Sequence, residues 1–207
     1  MSAANKKSKR LVIHLPIDSD ETIAALQAGD IFYLTGSLVT GRDDVHHRLV
    51  DEGIPLPLDI RQGAIFHAGP IVIESKGSQE LVSIGPTSSI RMEEWAADFI
   101  KKTGLKIMIG KGGMGAKTAA ACLKHGAIHC IYPGGCAVLG ASQTEAVEAA
   151  YWQDLGMPEA LWAIRVRELG PLIVSIDTRG KNLFAENAAL YAESQKRQIP
   201  PIQDFLG

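Results

Sequence analysis

Two short segments combine a cation with small residues in a way that suits anion binding. The first is Gly85-Pro86-Thr87-Ser88-Ser89-Ile90-Arg91 and the second is Gly110-Lys111-Gly112-Gly113-Met114-Gly115. Each ends an apolar run (Leu81 to Ile84, then Leu105 to Ile109) and opens a stretch of helical character. Free N–H groups at a helix N-terminus carry partial positive charge, and an adjacent Arg or Lys adds to the attraction for carboxylate or phosphate. Two such segments side by side predict a small ligand with more than one negative group. Arg42, in Thr40-Gly41-Arg42-Asp43, is a third instance of the pattern, set in a glycine turn after a strand and before a helix.

Nucleotide chemistry fits these residues poorly. Gly110-x-Gly112-x-x-Gly115 has the spacing of a dinucleotide fingerprint, but the following strand runs into Tyr132-Pro133-Gly134 without the acid that would hold a ribose. Ala116 separates Gly115 from Lys117-Thr118 and so breaks a phosphate-loop pattern, leaving Lys117 as a solvated first-turn residue. One hydroxyl of Thr87-Ser88-Ser89 serves as a helix cap, yet a cap needs one hydroxyl and not three beside an arginine. His46 and His47 are adjacent on one helix, point to different faces and are expected at the surface. His67 is read as a hydrogen-bonded structural histidine. Trp95, Trp152 and Trp162 are assigned to the core.

The elements that position these residues alternate. The first half is β-rich, with apolar runs at Ile31 to Leu34, Ala64 to Phe66, Ile71 to Ile73 and Leu81 to Ile84, and a helix over 44–51 capped by Asp43. In the second half a helix over 92–102 has Glu93 and Glu94 in its first turn and Lys101 and Lys102 in its last, as the helix dipole favours. A strand over 105–109, a helix over 116–125 stopped by Gly126 and a strand over 127–132 follow. A further helix lies within 136–152, and strands over 161–166 and 172–176 flank Gly170-Pro171. Strand–helix–strand alternation implies right-handed parallel crossovers, with ligands beyond the carboxyl ends of the strands. Thr87, Arg91, Lys111 and Cys136 all follow strands and are expected to converge at one edge.

Composition limits the function. The 207 residues carry a net charge of -2. That lacks the basic balance nucleic acid requires, so cation clusters are local and suit a small anion. No apolar run approaches the roughly 18 residues of a membrane span, and the basic start, residues 1–14, reads as a flexible tail on a cytoplasmic protein. Cys122, Cys130 and Cys136 fit neither a C-x-x-C metal pattern nor a disulfide framework. Cys122 and Cys130 are expected as buried thiols. Cys136, after Pro133-Gly134-Gly135, sits where it could line a pocket, with packing its expected role.

Taken together, these segments resemble the beta chain of the two-chain iron–sulfur hydro-lyases, a family that includes L-tartrate dehydratase and the class I fumarases. The resemblance rests on the two loops above, on residues 33–43 (Tyr33 to Asp43) and on Phe66-His67-Ala68-Gly69-Pro70. It continues in Pro133-Gly134-Gly135-Cys136-Ala137, in residues 154–159 (Asp154 to Glu159) and in Ser175-Ile176-Asp177-Thr178. It covers residues 15–190, with 191–207 as a C-terminal extension. It implies an α/β fold of the swivelling β/β/α three-layer kind, with a mostly parallel central sheet and a second, smaller sheet. It also implies that Arg42, Arg91, Lys111 and Ser88 bind substrate carboxylates, that Thr87 lies beside the abstracted proton, and that Thr87 and Lys111 are catalytic. The implied activity is dehydration of a 2-hydroxy dicarboxylate, either L-tartrate to oxaloacetate or malate and fumarate interconversion. The implied 4Fe–4S cluster belongs to a partner alpha subunit in a hetero-oligomer of two alpha and two beta chains, and not to this chain. A non-catalytic dicarboxylate-binding or regulatory subunit is the alternative.

Overall fold

A computed structural model describes residues 10–75 and 77–198. Strands β1 (Val12–His14), β2 (Ile31–Thr40), β3 (Ala64–Phe66), β6 (Ile107–Gly110), β7 (Ile128–Ile131), β8 (Thr144–Tyr151) and β9 (Leu161–Ile176) form one sheet, in the order β1-β2-β3-β6-β7-β9-β8. Neighbours from β1 to β7 are parallel, whereas β9 runs antiparallel to β7, β8 and β2. Because β9 pairs with β2 as well as β7, strands β2, β3, β6, β7 and β9 close on themselves. The mostly parallel central sheet is therefore present, wrapped into a barrel. A second, two-stranded sheet is the hairpin of β4 (Ala68–Ser75) and β5 (Ser78–Pro86).

Side chains alternate along the central strands, as the pleat requires. Ala64, Phe66, Ile107, Ile109, Ile128 and Cys130 join the core inside the barrel and under the hairpin. Ile65 and Met108 join a second core beneath the helices α2 (Asp43–Val50), α3 (Glu93–Thr103) and α4 (Ala116–His125), with Val45, Ala96, Phe99 and Cys122. Helices α3 and α4 stop where Gly104 and Gly126 take left-handed φ of 67° and 63°, a conformation that costs glycine little. No helix among the described residues is long and apolar enough to cross a membrane.

Several expectations need correction. The helix expected within 136–152 is present as α5 (Ala137–Ser142), but the rest of the stretch forms β8, a strand that was not expected. The two expected strands around Gly170-Pro171 are one 16-residue strand, β9. Val12–His14 pair with β2 inside the expected tail, and α6 (Leu183–Gln198) runs through the expected boundary at residue 190; residues 1–9 and 199–207 lie outside the described residues. Asp43 does not cap α2: Arg42 occupies the cap position without a side-chain bond, and the Asp44 N–H donates to Glu159 at 3.3 Å. Trp162 is buried in the core, while Trp95 and Trp152 lie half-buried at its edge.

His46 is also not at the surface. It is fully buried, shares a 2.8 Å hydrogen bond through Nδ1 with the Arg42 carbonyl, and packs against Phe99 and His67 with ring centroids 4.3 and 5.2 Å away. His129, 6.4 Å from His67, is buried as well and hydrogen-bonded to Ser175. Burial disfavours the charged imidazolium and pushes His46 down to about 4 and His129 to about 3. His67 lies well below its usual value, through burial first and then through the neighbouring His46 and His129.

The unfolded imidazoles titrate near 6.5, above their folded values, so over that interval protons bind preferentially to the unfolded chain. Stability present above about pH 6.5 is therefore expected to fall as the pH drops toward 4, by up to roughly 1.4 kcal/mol per pH unit for each imidazole. Urea melts across that range measure the slope, and His129→Gln is expected to make it shallower by one proton.

Candidate active site

The site lies beyond the carboxyl ends of β3 and β6. His67 follows β3 directly and sends the chain out along β4, and β5 returns it to Thr87. The Thr87 N–H donates to the His67 carbonyl at 2.7 Å, and the His67 N–H donates to the Ile109 carbonyl at 2.7 Å. Thr87 and Ser89 then cross-link to the second loop. The Lys111 N–H donates to the Thr87 carbonyl at 2.9 Å, and the Ser89 N–H donates to the Lys111 carbonyl at 2.9 Å, which places Ser88 beside Lys111 in parallel register. The hairpin thus extends the parallel pairing past the strand ends and joins two loops that lie far apart in the sequence.

Lys111 is exposed, its stem lies along Gly134, and its ammonium has no ion-pair partner among the described residues. Ser88, Ile90, Lys111, Gly112 and Phe184 line an open depression. Ser88 stands at the cap position of a 3-10 turn, Ser89–Met92, without a side-chain capping bond. That turn carries Arg91 toward α2, where its guanidinium lies 2.6 Å from the Asp43 carboxylate. The neighbouring Arg42 pairs with Glu159 at 3.0 Å, and its buried Nε meets no acceptor among the described residues. Burial raises the Glu159 carboxyl above its usual value, against the opposing pull of Arg42. Thr87, Ser88 and Lys111 are therefore brought together by backbone bonds, and Arg42 and Arg91 by the first turn of α2. The arginines are already paired within the chain, whereas Lys111 has no ion-pair partner among the described residues.

The expectation of free amides at the second helix is overturned. The Glu93 carboxylate accepts from the N–H groups of Gly115, Lys117 and Thr118 at 2.7, 3.0 and 3.3 Å and from the Thr118 hydroxyl at 2.6 Å. The N-terminus of α4 thus holds an internal anion, the Glu93 carboxylate. Gly115 is needed there, since a Cβ would come within 2.5 Å of that carboxylate. Sequence reasoning placed Glu93 only in the first turn of its own helix and missed this second role.

It also gave no role to three other residues. Asn182 accepts from the Phe184 and Ala185 N–H groups at the start of α6 and donates to the Met114 carbonyl at 2.9 Å. Phe184 closes over Gly113, where a Cβ would come within 2.5 Å of the ring. Glu159 lay inside a matched segment without a function. An asparagine ahead of an amphipathic run was the signal available for Asn182. Cys122 and Cys130 are buried, and burial pushes the Cys122 thiol up to about 12 and Cys130 well above its usual value. Cys136 is partly buried at the start of α5 and packs against the barrel core.

Residues 1–187 match the protein family described as Fumarase C-terminus, and the chain belongs to that family. It is 52% identical over 194 residues to the L(+)-tartrate dehydratase subunit beta of Escherichia coli, with 94% of each chain covered. It is 39% identical over 168 residues to the putative L(+)-tartrate dehydratase subunit beta of Methanocaldococcus jannaschii, covering 79% of this chain and 86% of that one. To the putative fumarate hydratase class I of Geobacillus stearothermophilus it is 38% identical over 186 residues, which span 88% of this chain but 35% of that protein.

Because one carboxylate satisfies three amides and a hydroxyl, Glu93→Ala is expected to lower the unfolding free energy by about 2–4 kcal/mol. Glu93→Gln keeps one acceptor oxygen and is expected to cost about half as much. Urea denaturation at neutral pH measures both.

Proposed function

We propose that this chain is the cytoplasmic beta subunit of an iron–sulfur hydro-lyase that dehydrates a 2-hydroxy dicarboxylate, L-tartrate to oxaloacetate or malate to and from fumarate. Arg42, Arg91, Lys111 and Ser88 bind the carboxylates, and Thr87 and Lys111 stand at the carbon that loses its proton. The observation that carries this reading is the cross-linking of Thr87 and Ser88 to Lys111 in a chain 52% identical to a protein named L(+)-tartrate dehydratase subunit beta. In its finer form the reading takes helices α2 to α4, the closed sheet and the β4–β5 hairpin as the three layers of the swivelling fold.

Removing a proton next to a carboxylate builds negative charge on that carboxylate. Cations fixed beforehand where the charge grows lower the barrier, because they need no reorganisation during the reaction. Arg42 and Arg91 are each held through a carboxylate, and the backbone that carries Lys111 is held through both its N–H and its carbonyl. A guanidinium with one edge paired to protein still offers further N–H donors to a second carboxylate. Thr87 has its N–H and carbonyl occupied by His67 and Lys111, so its contribution is the hydroxyl. A free hydroxyl is too weakly acidic to act as a base at neutral pH without help, and on this reading a nearby cation, Lys111 or Arg91, supplies it.

Loss of the hydroxyl needs a Lewis acid, which we assign to a 4Fe–4S cluster on a partner alpha subunit, in an assembly of two alpha and two beta chains. The cysteines of this chain do not fit such a cluster: Cys122 and Cys130 are buried with thiols held protonated, and Cys136 packs apart at α5. Two facts support a partner. The relatives are named as beta subunits, and in the Geobacillus relative this unit is about a third of a longer chain. The second reading is a dicarboxylate-binding subunit without a catalytic part, in which the paired arginines bind the ligand and the chemistry lies wholly on the partner.

Anaerobic co-expression with the partner, followed by turnover on L-tartrate, malate and fumarate, separates the two readings. Lys111→Met is expected to lower kcat/KM by about 10²–10³, and Thr87→Ala to lower kcat more than Thr87→Ser does. Full turnover by the partner alone would establish the non-catalytic reading instead.

A further inference from the structure

We infer that His67 and Ser89 are positioning residues that set the placement of Thr87 against Lys111, an inference that rests on the reading of Thr87 and Lys111 as the reacting edge. His67 Nδ1 and the Ser89 hydroxyl share a 2.9 Å hydrogen bond, and both residues are fully buried. Ser89 is wedged against the end of β6: its Oγ occupies the place where a Cβ on Gly110 would stand. Only a residue without a side chain fits at position 110, because the space is already filled by the serine.

His67 is a junction for three segments. Its N–H bonds the end of β6 through Ile109, its carbonyl receives the Thr87 N–H, and its ring holds Ser89. The Ser89 N–H in turn bonds the Lys111 carbonyl. The Ser89 side chain therefore pins the first loop against the backbone of Gly110, directly before Lys111, and the imidazole keeps the hydroxyl in place. His46 and His129 pack beside His67, with centroids 5.2 and 6.4 Å away, and crowd its ring. Neither His67 nor Ser89 is exposed to a ligand, so both act through the residues they hold. Arg42 and Arg91 have carboxylate partners of their own, so loss of the pin is expected to act first on the spacing of Thr87 and Lys111. Misplacement by about 1 Å at reacting atoms costs on the order of 10²-fold in rate.

The test uses the assembled two-chain enzyme, prepared anaerobically with the substrate it turns over. Ser89→Ala and His67→Phe are each expected to lower kcat about 10- to 100-fold with KM changed less than about threefold. The double variant is expected to match the worse single variant, because the two side chains form one device. His67→Asn, whose amide can take the place of Nδ1, is expected to restore most of kcat. If His67→Phe does not fold, Ser89→Ala, which removes one oxygen, carries the test. A lowered Tm with kcat per assembled enzyme unchanged in Ser89→Ala would overturn the inference, as would additive losses in the double variant. Thr87→Ala and Lys111→Met in the same enzyme separate the two levels. If they lose turnover and the pin variants do not, this inference alone fails; if they keep it, the reading of the site fails and the inference with it.

Discussion

Strand β9 is the constraint on which the architecture depends. Its 16 residues run antiparallel to β8 and β2 over the first half and to β2 and β7 over the second, so one strand closes the barrel and also carries β8. A strand that serves three neighbours must change direction, and it does so at Gly170, whose φ of 155° is open to glycine. A Cβ there would meet the Phe32 carbonyl and the Tyr33 ring within about 3 Å, so β2 also approaches too closely for a side chain. Gln143 clamps the bend from the end of α5, donating to the Gly170 carbonyl at 2.8 Å and accepting from its N–H at 3.3 Å. Closure pairs β9 with β2 as well as with β7, so the strands of the barrel pair in a continuous ring. It also fixes the parallel strands β3, β6 and β7 with their carboxyl ends side by side.

From those ends the site follows with few further parts. The β4–β5 hairpin leaves at His67 and must return to the same place, because the Thr87 N–H bonds the His67 carbonyl. The second sheet is thus a loop of defined length that delivers Thr87 to the end of β6. Close backbone approaches keep it seated. Gly69 lies against Pro158 and Gly85 against Ala137, so near that a Cβ on either glycine would stand 2.7 or 3.1 Å from its neighbour. The Met157 sulfur accepts from the Val72 N–H, and the Met157 carbonyl accepts from Trp162 Nε1 at 2.9 Å. The segment that holds the hairpin also carries Glu159, the partner of Arg42. One connection therefore fixes both the hydroxyl side and the arginine side.

Local signals in the sequence were read correctly where the physics is local. Helix α4 spans 116–125 as expected because glycines bound it on both sides, and the apolar runs at 64–66 and 81–84 lie in strands. Errors arose where a distant partner decides. The residues 144–151 have weak strand character, since Glu145 and Glu148 interrupt them, and they become β8 only because β9 offers a pairing edge. His46 is buried because Phe99 and His67 converge on it from other elements. Glu93 looked like a partner for its own helix dipole, and spacing alone could not reveal that α4 would present its amides to the same carboxylate. The convergence of Thr87 and Lys111 was legible because both follow strands whose order the alternation implies. The pin between them was not, because it depends on a serine filling the side-chain space of a glycine in another loop.

The electrostatics of the site follow from which charges are compensated. A chain of net charge -2 cannot draw anions by its overall field, so attraction must come from placement. Arg42 and Arg91 give up part of their charge to Glu159 and Asp43 and gain fixed orientation. Pairing has this logic for long side chains: an unpaired arginine loses rotamer freedom when a ligand binds, whereas a held one has lost it already. Lys111 is the opposite case. Its charge is uncompensated among the described residues, its backbone is fixed at both ends and its stem lies along Gly134, where a Cβ would stand 3.2 Å from Cδ. Glu93 takes the amides of Gly115, Lys117 and Thr118 at the start of α4, so those are closed to a further anion. On the proposed reading, the held arginines would orient a dicarboxylate and the lysine would supply the net positive charge that draws it.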